Sequence, residues 1–164
     1  MSADQLRRLR ALLLEERILS LAVLVERRAH VGLLPYVVTA DFDAAIVHAS
    51  ALARHTRGLV PGTPVGLVIH RPDRADADPL QLARVSIDAV VEALDKETEA
   101  YAAAMRLYVA RFPSSEATFT MPDFNLFRLR FEGGRWVGGF GDALRLNASS
   151  FQRLASLAAE GPAA

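Results

Sequence analysis

The segment Ile46-Val-His-Ala-Ser-Ala-Leu-Ala-Arg-His-Thr-Arg-Gly-Leu59 runs from an apolar strand directly into a short basic stretch. A junction of this kind suits an anion. Ser50 stands where a helix N-cap is expected, the N–H groups of the first turn then point outward, and Arg54, His55 and Arg57 add donors and positive charge. The ligand chemistry that fits is a phosphate.

Other side chains invite chemistry less directly. Arg84 lies in an otherwise apolar strand, and a buried guanidinium needs an anion or acceptors, so Asp88, another acid or a ligand must serve it. His30, His48 and His70 are imidazoles of the kind that bind metals or haem. They sit in or beside strands with no carboxylate at ligand spacing, which reads as packed or surface histidines, and no metal set is assigned. Asp123, after Pro122, reads as a turn or cap residue. No Ser–His–Asp order, glycine-rich phosphate loop or paired carboxylates stand out, so no catalytic residue is assigned.

The elements that must position these residues follow from the patterning. Ser2 and Gln5 have capping-box spacing, and Leu6, Leu9, Leu13 and Leu14 recur at helical intervals, predicting a helix over about 3–16. Ile18–Val25 and His30–Thr39 read as antiparallel strands, with further strands at Ala45–Ala49, Val65–His70 and Ala83–Leu94. Ser50 is expected to open a short helix that Gly58 closes. Asp95–Phe112 reads as a helix stopped by Pro113. Asn125–Phe131 and Trp136–Phe140 read as a hairpin turning at Glu132-Gly-Gly-Arg135, and Ser149 or Ser150 as the cap of a last helix reaching Ala159. Adjacent strands with few helices between them argue for an antiparallel barrel or sheet with peripheral helices, an α+β fold, rather than alternating βαβ units.

Composition sets the class. A chain of 164 residues suits one domain, spanning 1–164. It is 51% hydrophobic, and its 19 basic side chains balance 19 acidic ones, so neither disorder nor a nucleic-acid-binding surface is favoured, and any phosphate site must be local. Cysteine is absent, which fits a reducing cytoplasm. Met1–Arg17 reads as neither a signal peptide nor a membrane span. Apart from the alanine-rich tail Ala158–Ala164, no low-complexity stretch appears.

The order of these elements, with His48-Ala-Ser-Ala-Leu-Ala-Arg-His-Thr-Arg-Gly-Leu59, Ala83-Arg-Val-Ser-Ile87, Arg111-Phe-Pro113, Pro122-Asp-Phe-Asn-Leu-Phe-Arg128 and Val137-Gly-Gly-Phe-Gly141, resembles the pyridoxamine 5'-phosphate oxidase-like FMN-binding split barrels. The resemblance covers roughly Leu6–Leu146 and is strongest to the HugZ-type haem-degrading branch. It implies a homodimer with the cofactor in a groove between subunits, FMN phosphate at the strand-to-helix junction, and a small-molecule substrate. The family's Ser-Arg-Lys triplet falls on Ala53-Arg54-His55, its Thr-Asn pair on Ala49 and Ser50, its phosphate-reaching arginine on His30, and its flavin-contacting glutamine on Arg84. Thr56 follows in the same short helix. Trp136 and Phe140 then either flank the flavin edge or pack as a tight hairpin.

Three functions follow from this resemblance. The first is an FMN-dependent oxidoreductase. The second is a haem-binding or haem-degrading protein whose arginines pair with the porphyrin propionates. The third is a cofactor-free barrel used for binding or sensing. Under the first, FMN is held by His30, Ala49, Ser50, Arg54, His55, Thr56, Arg84 and Trp136.

Overall fold

The computed structural model describes residues 1–159, and the tail residues 160–164 lie outside them. The first helix, α1 (Ala3–Glu15), is held at its start by the expected capping box. Ser2 Oγ accepts from the Gln5 N–H at 3.2 Å, and Gln5 Oε1 accepts from the Ser2 N–H at 2.7 Å. Its leucine stripe is buried at Leu6, Leu9, Leu12 and Leu13.

Strands β1 (Ile18–Val25) and β2 (Arg28–Val38) form a hairpin whose two turn residues, Glu26 and Arg27, both have positive φ. They are followed by β3 (Ala44–Ser50), β4 (Pro64–His70), β5 (Arg84–Ala93), α2 (Glu99–Arg111), β6 (Phe124–Gly139), β7 (Asp142–Asn147) and α3 (Ala148–Ala159). Every pairing is antiparallel, in the order β3-β2-β1-β4-β5-β6-β7. A further pairing of β3 with β6 closes the first six strands into a barrel. This is the expected α+β split barrel with peripheral helices.

Alternation along the strands fills the barrel. Leu19, Leu21, Leu67, Ile69, Ile87 and Leu129 point inward, and α1 and α3 add Leu9, Leu13, Phe151 and Leu154 to the same core. A second, outer core forms where α2 covers β2, β3 and β6, with Tyr101, Ala104 and Tyr108 against Val37, Ile46 and Leu126. Among the described residues no helix is long and apolar enough to cross a membrane.

The structure departs from the sequence reading at five places. The expected hairpin at Glu132–Arg135 is instead one continuous 16-residue strand. Gly133 and Gly134 lie against β5, with a register shift at Asp88/Ala89, and a Cβ on Gly134 would fall 2.2 Å from the Ser86 carbonyl oxygen. The glycine permits this close approach rather than a turn. The real turn lies at Phe140–Gly141, where Gly141 has φ +78° and β7 begins.

Ser50 does not cap a helix. It ends β3, and only a 3₁₀ helix, Arg54–Gly58, follows, with Ala53 ahead of it and no side-chain cap. Gly58 is not a left-handed cap either, because it packs on β1, where a Cβ would lie 2.6 Å from Val23 Cβ. Helix α2 starts four residues later than Asp95, at Glu99, because Thr98 Oγ1 accepts from the Tyr101 N–H. At α3, Asn147 Oδ1 accepts from the Ser150 N–H and so displaces Ser149 and Ser150 as cap.

His48 belongs to the outer core. Its ring stacks on Phe119 at 3.9 Å between centroids and 9° between planes, with Tyr108 and Phe124 on other sides. Thr118 Oγ1 donates to the Ser115 carbonyl at 2.6 Å, so it accepts from His48 Nδ1–H at 3.2 Å, and Nε2 is left buried without a partner. Burial, with the nearby Lys96 charge, pushes its pKa down from 6.5 to about 4. The unfolded chain therefore takes up this proton first. His48 contributes fully above about pH 6.5, and that contribution is lost as pH falls toward about 4. Urea unfolding at pH 7.0 and 4.5 should show a smaller acid-side loss of stability in His48→Phe than in the wild type; an identical loss would place the acid sensitivity elsewhere.

Candidate functional site

The residues singled out in the sequence fall into two places. At the mouth of the barrel, the 3₁₀ helix Arg54–Gly58 leans on the inner face of the β1–β2 hairpin. His55 rests on Gly32, whose Cβ would lie 2.6 Å from His55 Nδ1. His30 is on the same face of β2, two residues away and directly opposite Val23. Thr56 is buried beside His55, and neither Thr56 Oγ1 nor His55 Nε2 has a hydrogen-bond partner. Burial pushes the His55 pKa down. The structure thus gathers His30, His55 and Thr56.

The junction itself differs from the expected anion cradle. The Ala51 N–H donates to the Asp123 carbonyl, the Leu52 N–H to Ser50 Oγ, the Ala53 N–H to the Ser50 carbonyl and the Thr56 N–H to the Ala53 carbonyl. Ser50 Oγ donates in turn to Asp123 Oδ2. Most of the N–H groups expected to face a phosphate are therefore used internally, and a carboxylate sits at the spot. Ala49 turns its methyl group into the core. Arg54 and Arg57 remain exposed.

Trp136 is far from this chemistry. It is fully buried in the main core, under the Arg8 guanidinium at 5.3 Å and against Gly138, so its ring has no face to offer a ligand. Phe140 is exposed at the β6–β7 turn.

Arg84 stands at the opposite rim. Ala22 pairs with Gly66 and Ser20 with Val68, which carries β4 away from the mouth to His70, and His70 pairs with Arg84. The five residues from Val23 back to Ile18 span roughly 17 Å at about 3.3 Å each, so one protomer does not bring Arg84 to the mouth residues. Arg84 is half-buried and donates to the Leu82 carbonyl at 2.8 Å. Among the described residues Arg17, Arg54, Arg57 and Arg84 make no ion pair. Asp88, the acid considered for Arg84 in the sequence, is four residues along β5, opposite Gly66.

A groove of about 400 Å³ opens at this rim, on the outer face of the sheet. Ile18, Leu33, Val68 and Pro72 make its apolar wall with Ser20 among them, Arg17 and His70 stand at its edge, and Glu15 and Glu16 line it as well, both held by Arg71. The Arg17 guanidinium lies 5.1 Å from the Phe112 ring centroid. His70 Nδ1 is 2.7 Å from the Arg71 carbonyl oxygen. A carbonyl can only accept, so Nδ1 carries the proton and Nε2 of the neutral ring is a bare lone pair. Arg71 itself is engaged by Glu15 at 2.7 Å and Glu16 at 2.9 Å.

In the sequence His70 reads only as a packed or surface histidine, and Arg17 carries no signal of its own. The available signal was that Ile18–Val25 and its partner strand are apolar on both faces, which marks an outer face with something to cover.

No family model matches the chain. Over 135 residues, 81% of its own length and 76% of the other's, it is 27% identical to the Heme oxygenase HutZ of Vibrio cholerae. A crystal structure of HutZ, described as a heme storage protein, superposes with a TM-score of 0.67 at 24% identity, over 79% of this chain and 89% of that one. The heme binding protein from Mycobacterium smegmatis gives a TM-score of 0.80 at 23% identity over 93% of this chain, which spans only 62% of that relative. A Listeria innocua protein assigned to the pyridoxamine 5'-phosphate oxidases gives 0.62 at 12% identity, over 82% of this chain and 99% of that one. The chain thus has the split-barrel fold of these structures, and in sequence it is similar to a haem oxygenase.

Proposed function

We propose that the protein binds haem, as a homodimer whose cofactor groove is completed between two copies of the chain. The observation that carries this reading is the outer face of β1, β2 and β4. Leu24, Val31 and Leu33 are 67%, 73% and 69% exposed, and Ile18, Ala22 and Val68 continue the same face across the register. A contiguous apolar face of this kind marks an interaction surface, and here it runs directly into the groove bordered by Arg17 and His70, with Arg84 across from His70 on β5. An apolar wall with unpaired cations at its edge suits a flat apolar ring that carries carboxylates.

The relatives' names favour haem over flavin. They differ on its fate, one naming an oxygenase and one a storage protein. Bound haem supplies a redox-active iron; the chain supplies the apolar wall, the cations that orient the carboxylates, and, with a second copy, exclusion of water.

FMN is the second reading, favoured by the exposed, unpaired Arg54 and Arg57 near the Ser50 junction. Against it stand the internally bonded N–H groups and the Asp123 carboxylate, which repels a phosphate.

Titration with haemin should give a protein-bound Soret band that co-elutes on gel filtration, while added FMN should separate from the protein. Retained FMN with no haemin uptake would reverse the order of the two readings. If FMN is retained, Arg54→Ala should weaken it by about 1.5–3 kcal/mol, as for a hydrogen bond to a charged group; unchanged affinity would remove Arg54 from the phosphate site. Sedimentation should show a dimer in the wild type and a folded monomer with weakened haemin binding in the double variant Val31→Glu, Leu33→Glu. A monomeric wild type would contradict the shared groove.

A further inference from the structure

We infer that His70 is the residue that ligates the haem iron, through Nε2. The inference rests on the haem reading above and assigns the ligand within it.

The four histidines differ in what their ring nitrogens can reach. His48 has its Nε2 sealed beneath Phe119 and Phe124 and its Nδ1–H given to Thr118. His55 is pressed onto Gly32 with a buried Nε2. His30 faces the barrel mouth, on the side of β2 away from the groove. His70 alone combines a lone pair on Nε2 with an open groove lined by its own side chain.

The bond at Nδ1 strengthens the assignment. An imidazole that ligates a metal typically donates its other N–H to a carboxylate or backbone carbonyl, which fixes the tautomer, orients the ring and makes the ligating nitrogen more basic. The Arg71 carbonyl does this for His70 at 2.7 Å. That carbonyl is itself anchored, because the Arg71 N–H donates to the Ala83 carbonyl at 3.0 Å and the Arg71 side chain is tied to Glu15 and Glu16. The ring orientation is thus set by the backbone of β4 and β5 and by the end of α1.

The surroundings suit the rest of the group. Inward-facing Leu67 and Ile69 leave Val68 and His70 on the outer face of β4, and Ser20 and Leu33 extend that face across β1 and β2. Arg84, directly across from His70 on β5, is on the same outer face, and Arg17 lies at the groove's other side. Both guanidiniums lack an acidic partner and are available to carboxylates. A single surface histidine binds iron weakly; an imidazole of fixed tautomer beside an apolar wall, with two guanidiniums that have no acidic partner close by, is a built site.

The test is haemin binding followed by absorption and electron paramagnetic resonance in the wild type and in His70→Ala, His55→Ala and His30→Ala. The wild type and the His55 and His30 variants should share one histidine-ligated spectrum. His70→Ala should lose that spectrum and bind haemin at least tenfold more weakly, and added imidazole should restore the wild-type spectrum by occupying the vacated position. A wild-type spectrum in His70→Ala overturns the assignment while leaving haem binding intact. A wild type that takes up no haemin overturns the haem reading, and the assignment falls with it.

Discussion

The pairing of β3 with β6 is the constraint on which the rest of the molecule depends. It runs from Ala44 opposite Arg130 to Ser50 opposite Phe124 and turns a seven-stranded sheet into a closed barrel. Only a strand as long as β6 can do this, since its first half bonds to β3 and β5 while its second half bonds to β5 and β7. Arg128 sits at the seam and holds Asp43 with one nitrogen and Glu92 with the other, both at 2.5 Å, while Arg130 holds Glu92 at 2.8 Å. Burial acts to raise the Asp43 pKa, but the bonds from Thr39 and Arg128 outweigh it and hold the carboxyl below its usual value. Such half-exposed ion pairs are individually worth little. Their use is positional, because they join the β3 approach, β5 and β6 at the closure.

Closure also decides what remains uncovered. Once one face of every strand fills the barrel, each outer face needs its own cover. α2 supplies it over β2, β3 and β6, with His48 sealed among aromatic rings. Nothing in the described chain covers the outer face of β1, the first part of β2, and β4, although Ile18, Leu24, Val31, Leu33 and Val68 on it are apolar. The groove with Arg17 and His70 lies along that face, and Arg84 stands across from His70. Burial of the sheet face and formation of the ligand site are therefore one problem, which the proposed second copy of the chain would answer on both counts.

The fold was largely legible because its signals are local. The capping box at Ser2 and Gln5, the antiparallel pairing of Ile18–Val25 with the strand after it and the outer limits of five strands follow from patterns a few residues long. The misreadings are those where a distant contact decides. Gly133-Gly134 looks like a turn in sequence, but its glycines serve the approach of β6 to Ser86. Gly58 looks like a helix cap, but Val23 determines it. At the site, Ser50 looked like an N-cap because its bond to Asp123, 73 residues away, has no local trace. Arg84 was legible as a guanidinium that needs an anion or acceptors, and the Leu82 carbonyl is one of them. His70 was not, since its character comes from a backbone carbonyl that no side-chain spacing records.

On the proposed reading the ligand lies on the outer face at the His70 rim and not at the barrel mouth. Amide chemical shifts measured on adding zinc protoporphyrin, a diamagnetic analogue of haem, locate the ring directly through its ring-current field. Large shifts at Arg17–Ser20, Leu33–Pro35, Val68–Arg71 and Arg84, with Ser50–Gly58 little changed, are the predicted result. Shifts centred on Ser50–Gly58 and His30 would contradict this placement and return the ligand to the mouth of the barrel.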